Sequence, residues 1–217
     1  MKTILVFGDS LTWGYDPRNQ GRPPGARTRR FADDQRWTGV MAAQLGAGYK
    51  VITEGLNGRT TAWDDPLEPL RCGLTQLSPA MDAQAPFDLV IIMLGTNDLK
   101  GRLSASAYDI AYGAGMLVER ALGAVDDFIA DPLVLLISPP HLGRVDEIAG
   151  GSSFAGQVAK SYELASHYEA IAAQYGVGFF DAATVATPSP IDQVHLDADQ
   201  QANLGHAIAP VVVRMLS

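Results

Sequence analysis

Ile4-Leu5-Val6-Phe7-Gly8-Asp9-Ser10-Leu11 decides the fold class. A short, unbroken apolar run gives way at once to a glycine and two polar side chains. Such a run reads as a strand buried on both faces, the pattern of a parallel sheet covered by helices. The pattern recurs at Tyr49–Thr53, Leu89–Leu94, Leu133–Ile137 and Val177–Phe180. Longer segments with helical spacing lie between them. Gln35–Leu45 follows Asp33-Asp34 as a cap. Ala105–Ala124 follows Ser104, with Asp109 in its early turns. Val158–Tyr175 stops before Gly176. Asp197–Leu216 opens on Asp197 and carries Pro210, which predicts a kink. Strands alternating with helices imply an α/β sandwich around a mostly parallel five-stranded sheet. We read residues 1–217 as one domain.

Composition agrees and removes several functions. The chain is 47% hydrophobic and 18% charged, an ordinary globular composition. Lys and Arg number 16 against 24 Asp and Glu, a net charge of -8, which repels a phosphate backbone and argues against nucleic-acid binding. Cys72 is the single cysteine and has no internal disulfide partner. Leu89–Leu94 is far too short to span a bilayer. The apolar start at Ile4–Phe7 is too short for a signal peptide, so a cytoplasmic protein without a membrane partner is expected.

Two stretches read as long exposed loops. Asp16–Arg30 holds three prolines and five arginines, and Pro139–Gly156 holds four glycines and His141. Each is long enough to cover a cleft.

In open α/β sheets ligands bind beyond the carboxyl ends of the strands. Those places hold Gly8-Asp9-Ser10-Leu11, Glu54 to Thr61, Gly95-Thr96-Asn97-Asp98, and Asp181 followed by a loop with Asp192-Gln193-Val194-His195. Ser10 is the candidate nucleophile, although alone it more readily fits a turn or cap serine. A serine hydroxyl needs a base. Of four histidines, only His195 has an acid three residues earlier, in a loop leading into a helix. Asp192 there could hold the imidazole tautomer. Asn97 fits either an Asx-turn or an oxyanion donor, and Gly58 could offer its backbone N–H to the same point. The chain has no G-x-S-x-G elbow, no P-loop, no G-x-G-x-x-G and no zinc-ligand spacing.

Gly8-Asp9-Ser10-Leu11, Gly58, Gly95-Thr96-Asn97-Asp98 and Asp192-x-x-His195 resemble, in order, the signature blocks of the SGNH (GDSL-type) hydrolases. Phe7 to Gly14, Arg36 to Val40, Glu54-Gly55-Leu56 with Arg59-Thr60-Thr61, and Asp88 to Asp98 look most like the bacterial arylesterases with acyltransferase activity known from mycobacteria. The likeness departs at Arg18–Arg30 and Gly143–Gln157. It implies a flavodoxin-like three-layer α/β/α sandwich and a serine esterase acting on short-chain aryl or alkyl esters. Ser10 would be the nucleophile, His195 the base and Asp192 its partner. Ser10 N–H, Gly58 N–H and the Asn97 side chain would form the oxyanion hole. Water or an alcohol would take the acyl group from Ser10, with no cofactor and no metal. The resemblance also implies a homo-oligomer.

Candidate substrate contacts are Asp9, Leu11, Trp13, Leu56 and Thr96; Thr96, like Asp98, also reads as a brace for the Asn97 loop. Trp13 would line the site and hinder water, although it equally fits a core aromatic. Alternatives are a carbohydrate O-acetyl esterase, a thioesterase or lysophospholipase, and a non-catalytic flavodoxin-like binding module.

Overall fold

The computed structural model describes residues 1–23, 26–123, 131–149 and 151–217. Its five strands form one sheet, β1 (Lys2–Gly8), β2 (Tyr49–Gly55), β3 (Leu89–Met93), β4 (Leu133–Ser138) and β5 (Gly178–Asp181). The order is β2-β1-β3-β4-β5 and every pair is parallel. This is the flavodoxin-like arrangement, and its strand order reverses between β1 and β3.

The side-chain alternation of a strand sorts the core into two layers. On one face Leu5, Phe7, Val90, Ile92, Val134 and Leu136 meet α3 (Gly73–Asp82), α4 (Ala107–Leu122) and α5 (Val158–Tyr175). On the other, Ile4, Val6, Ile91, Met93, Leu135 and Ile137 meet α2 (Trp37–Leu45) and α6 (Ala198–Leu216). Each fully buried aliphatic side chain contributes about 1.5–3 kcal/mol. The three-layer sandwich therefore follows from the apolar runs of β1, β3 and β4, which bury both faces.

Several local expectations change. Asp33 and Asp34 do not cap α2; they form a 3-10 turn, and the cap position is Arg36. Helix α4 is capped by Ser106 rather than Ser104. The Ser106 hydroxyl accepts from Asp109 N–H, and the Asp109 carboxylate accepts from Ser106 N–H. Its expected last residue, Ala124, lies outside the described residues, as do Pro24, Gly25 and Gly150 of the two loops. Helix α6, by contrast, holds Pro210 inside it as expected. Helix α3 was not expected, and Pro79 sits inside it. The loop after residue 16 is anchored at its base. Asp16 is buried and takes the Arg18 guanidinium, while Asn19 bridges Asp16 and Arg29.

A single-turn helix, α1 (Ser10–Trp13), starts directly after β1. Its Leu11 carbonyl accepts from the buried side chain of Gln201 in α6, and Gln201 also accepts from Trp37 N–H at the start of α2. One amide thus fixes three elements around Ser10. No described helix is long and apolar enough to cross a membrane.

Candidate active site

Ser10 opens α1, so its backbone N–H is one of those a helix leaves unpaired. Its Oγ lies 2.9 Å from His195 Nε2, and His195 Nδ1 lies 2.7 Å from Asp192 Oδ2. The other Asp192 oxygen, Oδ1, accepts from the N–H groups of Val194 and His195. The three-residue spacing thus makes an Asx-type turn in which one oxygen shapes the backbone and the other faces the ring. Tyr15 stacks on the His195 ring, with centroids 4.1 Å apart.

Asn97 follows β3 and is buried. Its Nδ2 donates to Arg59 O at 3.1 Å. An amide NH2 has two donors, so one remains for a ligand. Arg59 is itself buried. Its guanidinium lies on the Phe7 ring and donates to the carbonyls of Gly8 and Glu54, tying the ends of β1 and β2. Burial draws its pKa down to about 10. Asp98 accepts from the Thr61 N–H and hydroxyl, joining the loops that carry Asn97 and Gly58. Burial pushes its carboxyl up to about 6. Gly95 has φ of +119°, and a Cβ there would meet the Tyr168 hydroxyl at 2.3 Å; that hydroxyl donates to Leu94 O. Gly58 has φ of +80°, and no described residue accepts its N–H.

A cavity of about 240 Å³ is lined by Ser10, Gly58, Thr96, Asn97, His195 and Tyr15, and by Glu68, Lys100 and Phe154. A second of similar size shares Tyr15, Phe154 and His195 and adds Gln20. A larger hollow of about 460 Å³, between Arg30, Arg36 and Thr53, touches none of Ser10, Gly58, Asn97 and His195. The smaller one is where a hydroxyl, an imidazole and N–H groups without a described acceptor meet.

Several expected substrate contacts do not line this cavity. Asp9 is wholly buried; its Oδ1 accepts from Leu11 N–H and caps α1. Leu11 is packed into the core beside α6. Trp13 is covered by Arg30, whose guanidinium lies 4.6 Å from the ring and whose Nε donates to Trp13 O. Leu56 is partly buried and donates its N–H to Gly8 O. Each braces the loops rather than facing the hollow. Tyr15, Phe154, Glu68 and Lys100 were not singled out. Phe154 lies in one of the two flagged loops, and Tyr15 immediately precedes the other.

The GDSL-like lipase/acylhydrolase family matches residues 6–207 of the chain. An aryl esterase of M. smegmatis is 43% identical, each chain covered over 100%, with a TM-score of 0.91. A carbohydrate acetylesterase from Sinorhizobium meliloti is 42% identical over 99% of this chain and 100% of its own, also at 0.91. A G-D-S-L family protein from Veillonella parvula shares the fold at 15% identity, covering 99% of this chain and 100% of its own, with a TM-score of 0.68. No curated protein matches the chain.

Proposed function

The chain belongs to the GDSL-like lipase/acylhydrolase family, and within it we propose a serine esterase that cleaves short-chain esters through an acyl-Ser10 intermediate. The observation that carries this is the hydrogen-bonded line from Ser10 Oγ through His195 to Asp192, 2.9 Å and 2.7 Å, at the wall of a cavity. His195 takes the Ser10 proton as Oγ attacks the ester carbonyl. The oxyanion lies among Ser10 N–H, Gly58 N–H and the free Asn97 N–H. His195 returns the proton to the departing alcohol, and water or another alcohol releases the acyl group by the reverse steps. Asp192 holds the ring and stabilises the imidazolium.

Acyl transfer to alcohols is part of the proposal. It requires that water be hindered at the acyl-enzyme. Tyr15 over the imidazole and Phe154 across the cavity support it. A second reading, removal of acetyl groups from carbohydrate, is favoured by the ionic wall of Glu68 and Lys100 and by the likeness to the S. meliloti acetylesterase.

The test follows benzyl acetate and acetate together in a buffered reaction of vinyl acetate with benzyl alcohol. Both products should form, and Ser10→Ala should lower both by about 10⁴-fold or more. Acetate alone would reduce the proposal to hydrolysis. A Ser10→Ala protein keeping a tenth of the rate would remove Ser10 from the mechanism.

A further inference from the structure

We propose that Glu68 selects esters whose alcohol portion carries additional hydroxyl groups, a reading that rests on the esterase function above. Four charged side chains stand beside the cavity. Arg102 grips Asp65 with two hydrogen bonds, Nε to Oδ1 at 2.8 Å and Nη2 to Oδ2 at 2.6 Å. Arg102 Nη2 also reaches Glu68 Oε1 at 3.1 Å, and Lys100 Nζ reaches the same oxygen at 2.5 Å. Lys100 lies 3.5 Å from Asp65 as well. Asp65 and Lys100 are buried, whereas the Glu68 side chain is 40% exposed. Glu68 Oε1 is thus held by two cations, and no described residue donates to Oε2.

That free oxygen stands against a proposed oxyanion donor. A Cβ on Gly58 would fall 2.1 Å from Glu68 Oε2. A lone carboxylate there would oppose the negative charge that forms on the ester oxygen. Two cations facing two anions remove that objection and lock the carboxylate in one orientation. Such an array is costly to desolvate and offers nothing to an apolar ester. It offers a hydroxyl a charge-assisted hydrogen bond, because an ionised carboxylate only accepts. Short acyl groups carry no donor, so the hydroxyl must come from the alcohol portion, a glycerol- or sugar-like polyol.

The experiment compares kcat/KM for glycerol monoacetate with that for ethyl acetate, in wild type, Glu68→Gln and Glu68→Ala. Both esters give the same acetyl-enzyme, so the ratio isolates recognition of the alcohol portion. The ratio is also independent of how much of each preparation is folded. We expect wild type to prefer the glycerol ester, and the ratio to fall about five- to tenfold in both variants, chiefly through KM. An unchanged or increased ratio in Glu68→Gln overturns the assignment, as does a wild type that prefers ethyl acetate. A wild type that cleaves neither ester and resists a serine-directed organophosphonate overturns the esterase reading as well.

Discussion

Asn97 and Asp192 each divide one side chain between structure and proposed chemistry. The Asn97 amide gives one N–H to Arg59 O and keeps the other for the cavity. Asn97→Ala removes one of three oxyanion donors, so kcat should fall about 10²–10³-fold with KM nearly unchanged. A rise in KM alone would mean that Asn97 binds the ground state. Asp192 shows the same division more sharply. Its Oδ1 accepts two backbone N–H groups, so in Asp192→Asn the amide oxygen must stay there. The NH2 would then face Nδ1 and drive the ring proton to Nε2, against Ser10. The variant should stay folded and lose up to about 10⁴-fold in kcat, checked by steady-state rates beside a urea melt.

Among the elements, the join between β1 and α1 carries a pH signature. Asp9 caps α1 from full burial, and desolvation raises its carboxyl from 3.8 to about 6. Its Oδ2 finds no hydrogen-bond partner. A raised carboxyl binds its proton more tightly when folded. Its contribution to stability is therefore complete below pH 3.8 and is lost as pH rises through about 6. Asp9→Asn escapes that loss. Its stability should gain on wild type by about 2–3 kcal/mol between pH 4 and pH 8, read from urea unfolding at each pH. A gap that does not widen with pH would mean that Asp9 ionises in the fold as easily as in water.

The same scale explains what the sequence revealed. The central strands β1, β3 and β4 were legible because each is an apolar run in a two-sided core; the edge strands β2 and β5 are only partly buried, and β2 carries Lys50 and Glu54, yet Val51-Ile52 and Phe179-Phe180 still mark them. Helix α3 was not, since only Gly73, Leu77 and Met81 in it are buried and Pro79 breaks the pattern. Ser10, Gly58, Asn97, Asp192 and His195 stood out because each follows the carboxyl end of a strand. Tyr15 and Glu68 reach the cavity only through loop folding that no spacing encodes, and Asp9 looked polar and available until burial placed it.

At the scale of the molecule, one loop beside the cavity exposes three large apolar side chains. Trp63, Leu67 and Leu70 are 40%, 72% and 81% accessible, and Glu68 lies among them. Exposed apolar side chains gathered this closely mark contact surfaces. We therefore propose a homo-oligomer, whose mass by light scattering should be a multiple of 23.1 kDa. Leu67→Asp with Leu70→Asp should shift it toward the monomer; a monomeric wild type would refute this.

The bond between Ser10 and His195 closes a separation of 185 positions. The proposed nucleophile follows the first strand of the sheet, and its proposed base follows the fifth. Contacts so distant form late, because the intervening chain must first be ordered. During refolding from urea, helical circular dichroism should therefore return before Ser10 regains reactivity toward an organophosphonate. The proposed nucleophile lacks its base until the sheet is complete, and its reactivity becomes a clock for the last step of folding.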